Sequence, residues 1–130
     1  MPADAETIRA TVDRYTSCFS ARDKDAFLAN FADDAWIEDP VGTDRREGKA
    51  SIGAFWDQTQ GMSDSVALVR TGPVRVAGGE AAFPMQARPT IGDTTYCIDI
   101  IDVMTFADDG TITTMRAFWD PTEMRPLDGG

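Results

Sequence analysis

The sequence predicts an α+β domain in which three N-terminal helices pack on one face of a curved, mainly antiparallel sheet. Three observations predict it. Apolar residues recur at helical spacing in the N-terminal part of the chain. From Ser65 onward they alternate with polar ones between short turns rich in Gly, Pro and Asp. A length of 130 residues suits one domain around one core, and no repeat, linker or low-complexity segment divides it.

Ile8, Val12, Tyr15 and Phe19 form the apolar stripe of a first helix from about residue 4 to Ala21, with Asp4 placed to cap it. A second, short helix is expected over about 23–32, capped by Asp23, with Ala26, Phe27, Ala29, Asn30 and Phe31 as its inner stripe. The period then changes to two. Ala35, Ile37 and Asp39 alternate with Trp36 and Glu38 in a brief strand closed by Pro40-Val41-Gly42. A third helix fits 48–60 around Ile52, Phe55 and Trp56. Strands follow at about 65–71, 73–77, 80–91, 94–107 and 111–119, punctuated by Thr71-Gly72-Pro73, Gly78-Gly79, Gly92-Asp93 and Asp108-Asp109-Gly110. The Pro/Gly-rich tail from Pro121 to Gly130 is expected to be loose.

The formal charge of −10 repels nucleic acid and anionic membrane, and no Lys/Arg cluster offsets it locally. A neutral or cationic small ligand is the better match. Cys18 and Cys97 form no CxxC, which suggests neither a zinc site nor a disulfide framework, only two small buried hydrophobes. No apolar run reaches the length of a membrane span, and the acidic start MPADAETIRA is unlike a signal peptide, so a cytoplasmic protein is expected. Histidine is absent. Ser-His-Asp and Cys-His triads and the common metal ligand are thereby removed, which leaves carboxylates and phenols for any proton chemistry.

Three ionisable residues sit where the pattern demands apolar ones. Tyr15 lies on the core stripe of the first helix, and Asp39 ends a strand in register with Ala35 and Ile37. In CIDIIDVMTF, Cys97 to Phe106, strand alternation puts Asp102 on one face with Ile98, Ile100, Met104 and Phe106. Asp99 falls on the other face and reads as an ordinary polar or edge residue. A carboxylate among such neighbours has lost its hydration unless it is paired or stays protonated. Each residue alone has an ordinary explanation: a core phenol on a carbonyl, a turn cap before Pro, a structural hydrogen-bond hub. Together they fit one chemistry. An apolar pocket with one ionised carboxylate and two neutral donors can move a proton beside a carbonyl while the donors meet the developing oxyanion.

At these residues the chain resembles the bacterial ketosteroid isomerases (steroid Δ5-isomerases), of the fold family that includes nuclear transport factor 2. The pieces that carry the resemblance are FADDAWIEDPVG at 31–42, REGKASIGAFW at 46–56, RTGPVRV at 70–76, DIIDVMTF at 99–106 and TMRAFW at 114–119. It runs from about Ile8 to Trp119 and implies a cone-shaped pocket, a cofactor-free reaction and a homodimer joined sheet to sheet. It also implies that Asp39 is the general base and that Tyr15 and Asp102 form the oxyanion hole. That family is itself the familiar instance of a carboxylic acid kept neutral at pH 7, so the assignment of Asp102 follows precedent.

The resemblance further implies a small apolar steroid as substrate, with Trp119, Phe83, Met85 and Met115 walling its pocket; plain core packing is the alternative for each. Phe31 and Trp56 stand where some relatives carry tyrosines that extend a hydrogen-bond chain behind the catalytic phenol. They are expected to fill the pocket wall. Ile101, Val103, Ile112 and Phe118 are the expected outward surface for the dimer. Two other readings compete: a polyketide cyclase or epoxide hydrolase of the same fold working with one acid/base Asp, and a non-catalytic binding module.

Overall fold

A computed structural model describes residues 2–127. Helix α1 spans Ala5–Ala21, and its first turn is closed by Asp4, whose carboxylate accepts from the Thr7 amide at 2.8 Å. Its buried stripe contains Ile8, Val12, Tyr15 and Phe19, as the spacing predicts, together with Thr11 and Cys18. Helix α2 is shorter than expected, Lys24–Ala29, again capped by its preceding Asp23. Phe31 begins strand β1, Phe31–Glu38, instead of ending the helix. Aromatic and β-branched residues suit either environment, and here pairing with a distant strand decides.

Strand β2 is a two-residue piece, Arg46–Glu47, that sequence reasoning missed; it pairs antiparallel with Trp36 and Ile37 of β1. Helix α3 follows at Gly48–Gly61. The remaining strands are β3 (Ser65–Arg70), β4 (Arg75–Ala77), β5 (Glu80–Ile91), β6 (Thr94–Phe106), β7 (Ile112–Phe118) and β8 (Arg125–Pro126). The main sheet runs β2-β1-β7-β6-β5-β3, with β4 paired to β5 and β8 to β6. All pairings are antiparallel except β1 with β7. Within the tail, Pro121–Glu123 forms a 3₁₀ turn, and β8 then continues the edge of β6 at Tyr96 and Cys97, beyond where β7 stops at Ile101. The rest of the tail lies outside the described residues.

Helices α1 and α3 cover one face of this sheet, and the core lies between. One close approach fixes α1. Gly110, in the β6–β7 turn at φ 87°, lies so near α1 that a Cβ there would meet Thr7 Cγ2 at 2.6 Å, and Thr11 Oγ1 donates to its carbonyl at 2.9 Å. The helix carrying Tyr15 is thus fastened to the turn next to the strand carrying Asp102.

Candidate active site

Tyr15, Asp39 and Asp102 reach one region from three elements. On the inner face of the β5–β6 hairpin, Phe83 stands opposite Asp102, Met85 opposite Ile100 and Ala87 opposite Ile98. Asp102 is fully buried, and neither carboxyl oxygen has a hydrogen-bond partner among the described residues. Burial first, and then the charge of Asp39, push its pKa well above the ordinary carboxylate value. Such a group keeps its proton and remains a free donor.

Asp39 follows the last residue of β1, through a cis peptide to Pro40. Because β1 and β7 are parallel, both leave the sheet at the same end: Glu38 pairs with Arg116, and the Val41 amide bonds the Ala117 carbonyl at 2.8 Å. That exit brings Trp119 to Asp39, where its indole Nε1 donates to Oδ1 at 2.6 Å. Burial raises the Asp39 pKa to about 6, against the opposing pulls of the Trp119 hydrogen bond and the Arg46 charge. The result is a carboxylate that is ionised at neutral pH yet much more basic than a free one.

Tyr15 is 2 % exposed, with its ring set edge-on to Phe19 and Phe31 at centroid distances of 5.6 and 6.4 Å. Its pKa is held well above that of a free phenol, first by burial and then by Asp102, Asp39 and Cys18. A phenol that resists ionisation stays a donor over a wide pH range.

A cavity of about 670 Å³ opens beside these groups, within the range of sites for ligands of drug size. Tyr15 and Asp39 border it; Leu68, Met85, Ala87, Ile98 and Ile100 give it an apolar wall, and Trp119 stands beside Asp39. Asp102 lies just behind that wall, not on it. Of the residues expected to wall the pocket, Met85 and Trp119 do so. Phe31, Trp56, Phe83 and Met115 instead sit in the packed core away from the lining. Phe31 and Trp56 belong to an aromatic cluster with Phe19 and Phe27 behind Tyr15, with centroids 4.7 to 5.2 Å apart for the pairs Phe27–Trp56, Phe19–Trp56 and Phe27–Phe31. Inward alternation put them on the correct side of the sheet, but it does not separate a cavity wall from the layer beneath it.

Sequence reasoning missed another part of the lining, which includes Arg46 of β2 with Phe55 and Gln58 of α3. Phe55 carried a signal, since it lay on the helical stripe; Arg46 carried none, because β2 is too short to show alternation. Among the described residues no cluster of His, Cys, Asp and Glu is arranged to hold a metal ion.

Helices closed over a curved mixed sheet, with an apolar cavity between them bordered by Tyr15 and Asp39 and backed by the buried Asp102, define a domain of the nuclear transport factor 2-like class. Residues 12–115 match the SnoaL-like domain, and the chain belongs to that family. It is 41% identical over 117 residues to a steroid Δ-isomerase of Nocardioides simplex, a match that covers 90% of this chain and 93% of that protein. Among solved structures it is similar to SalBIII, described as an epoxide hydrolase/cyclase-like enzyme in pyran ring formation in the polyether salinomycin. The TM-score is 0.85 at 28% identity, covering 95% of this chain and 98% of that one.

Proposed function

We propose that the protein is a cofactor-free steroid Δ5-isomerase acting on 3-oxo-Δ5 steroids. The observation that carries this reading is the pairing of a fully buried, unpartnered Asp102 with an Asp39 whose pKa burial raises to about 6, beside a cavity that Asp39 shares with Tyr15. Two carboxyl groups with such different environments divide into a donor and a base. Asp39 takes a proton from carbon 4, and the electrons move onto the carbonyl to give a dienolate. Tyr15 and protonated Asp102 donate hydrogen bonds to the dienolate oxygen. Asp39 then returns the same proton to carbon 6, which leaves the conjugated 3-oxo-Δ4 product and the starting carboxylate. The likeness to the N. simplex isomerase supports this substrate class.

The test is the ultraviolet absorbance of the conjugated enone when purified protein meets 5-androstene-3,17-dione. Catalytic appearance of that band, abolished in Asp39→Asn, is expected. No band from wild-type protein, together with hydrolysis or cyclisation of an epoxide, would move the protein to the chemistry of its structural neighbour.

The same reading includes a homodimer through the outer sheet face. Ile101 and Phe118 lie opposite each other on β6 and β7 there and are 52% and 42% exposed, with Val103 half-buried beside them. Ile112 does not join them. A bulge between Thr105 and Phe106 of the β6–β7 ladder puts an extra residue on β7, which reverses alternation and buries Ile112 in the core. Sedimentation of wild type as a dimer and of Ile101→Asp as a monomer is expected; a monomeric wild type at micromolar concentration would remove the dimer from the proposal.

A further inference from the structure

We infer that Arg46 is a positioning residue for the base: its guanidinium, fixed on the cavity rim without a carboxylate partner of its own, holds Asp39 in the ionised form that accepts the proton. This rests on the isomerase reading for its consequence in catalysis, but not for its physical basis.

The two arginines at the start of β2 go to different uses. Arg45 Nε lies 3.4 Å from Glu38, which also pairs with Arg116 at 3.3 Å, and its guanidinium stacks 3.8 Å from the centre of the Trp36 ring. Arg45 also borders the cavity, but its charge is already paired with Glu38. Arg46 pairs with Ile37, two residues before the base, and borders the same cavity as Asp39. Its Nη2 donates to Gln58 Oε1 at 2.6 Å, and its guanidinium carbon lies 5.3 Å from the centre of the Phe55 ring. Both contacts are to neutral groups, so they fix the guanidinium in place without neutralising it. Among the described residues no carboxylate lies within ion-pair distance of it.

The groups around Asp39 leave that charge a clear role. Tyr15 of α1 and Asp102 of β6 are neutral donors; α3 contributes Gln58; β3 and β5 present Leu68, Met85 and Ala87; Trp119 donates a neutral hydrogen bond. On its own strand, Glu38 is occupied by Arg45 and Arg116, and Asp44 on the rim adds negative charge. Every ionic neighbour except Arg46 is therefore neutral, negative or already paired. The cavity has to be apolar enough to exclude water, and that same apolarity favours a protonated, useless base. A fixed cation at the rim opposes this while leaving the wall apolar, and the pull of Arg46 on the Asp39 carboxyl has the required direction.

Two titrations of one carboxyl group test this in Arg46→Met and Arg46→Lys: the acid limb of kcat/KM, and the ¹³C chemical shift of the labelled Asp39 side chain. Arg46→Met should move both upward by about half a pH unit or more, which is about a threefold loss of kcat/KM on the acid limb, and Arg46→Lys should restore most of it. A merely structural arginine predicts a different result, a uniform loss at all pH with the midpoint unmoved, and that result overturns the inference. If Arg46→Met does not fold, Arg46→Gln, which keeps a polar contact for Gln58, must show the same upward move or the inference fails. The carboxyl titration also separates the two proposals. A midpoint that moves in a protein without isomerase activity removes the isomerase reading and leaves the electrostatic role; activity in wild type with an unmoved midpoint does the reverse.

Discussion

Asp99 and Asp102 stand on the same strand, facing opposite sides of the same sheet. Asp99 is largely exposed; it accepts from Gln86 Nε2 at 2.9 Å and from Arg125 Nη1 at 3.0 Å, and these bonds lower its pKa. Asp102 has no exposure, no partner and a raised pKa. An odd change of position along a strand is enough to turn one carboxyl group into a surface anion and another into a buried acid. The difference shows that the chemistry here comes from what surrounds a residue type more than from the type itself. Asp39 is intermediate, buried enough to be basic and held by Trp119 and Arg46 so that it still ionises.

The largest effect expected from altering these acids is at the intermediate one. Asp39→Asn keeps the shape and loses the proton acceptor, so kcat should fall by about 10²–10⁴-fold or more while a steroid-like phenol still binds. Turnover within a few-fold of wild type would mean the base lies elsewhere.

Next in size is the loss of a donor. Asp102→Leu and Tyr15→Phe should each cost on the order of 2–4 kcal/mol of transition-state stabilisation, with Asp102→Asn intermediate because its amide still donates. The proposed sharing of one oxygen by both donors requires that their losses not add in a double-mutant cycle. Strict additivity would assign them to different atoms. In wild type, kcat/KM should fall on the acid side with one carboxyl group titrating near 6, the value to which burial raises Asp39.

An effect of opposite sign concerns stability. Asp102 keeps its proton in the folded chain but loses it on unfolding above pH of about 4, so the folded state binds more protons and wild-type stability falls as pH rises. Asp102→Asn escapes that loss. The stability gap between variant and wild type, measured by urea denaturation, should therefore widen from pH 5 to 8 in favour of the variant, by up to about 1.4 kcal/mol per pH unit. A gap that stays flat would place an ionised Asp102 in the strand. Asp99 has the reverse sign, since its lowered pKa gives stability that is present above the unfolded value and lost as pH falls. At the small end, Asp99→Asn should leave kcat/KM within about twofold and the melting temperature within about 3 °C, because exposed pairs contribute little.

The contrast between Asp99 and Asp102 could be read from CIDIIDVMTF, because strand alternation is a local property and a charged group among Ile100, Met104 and Phe106 contradicts it visibly. For the same reason α1, with Tyr15 on its buried stripe, and the long β5–β6 hairpin around Gly92-Asp93 lie where their periods and turn residues put them. Local patterns fail where a residue's environment depends on a remote partner. Phe31 fits the inner stripe of a helix as well as the start of a strand, and its pairing with Ile112 decides the matter. Phe83 and Met115 point inward as alternation requires, yet other side chains fill the space between them and the cavity.

The sequence by itself determined the order of the helices and longer strands, their inward faces and the presence of three ionisable groups that those faces should not contain, since helical and strand periods act over a few residues. Only the tertiary structure decided that β1 runs parallel to β7, and with that the meeting of Asp39 and Trp119 across most of the chain. It also decided that the bulge in β7 turns Ile112 inward, that Met85 borders the cavity while Phe83 lies beneath, and that Arg46 meets the neutral groups of Gln58 and Phe55 while Arg45 pairs with Glu38. Each of these depends on the register between segments distant in sequence, and register is set by the simultaneous packing of the whole inner face, which no local window contains.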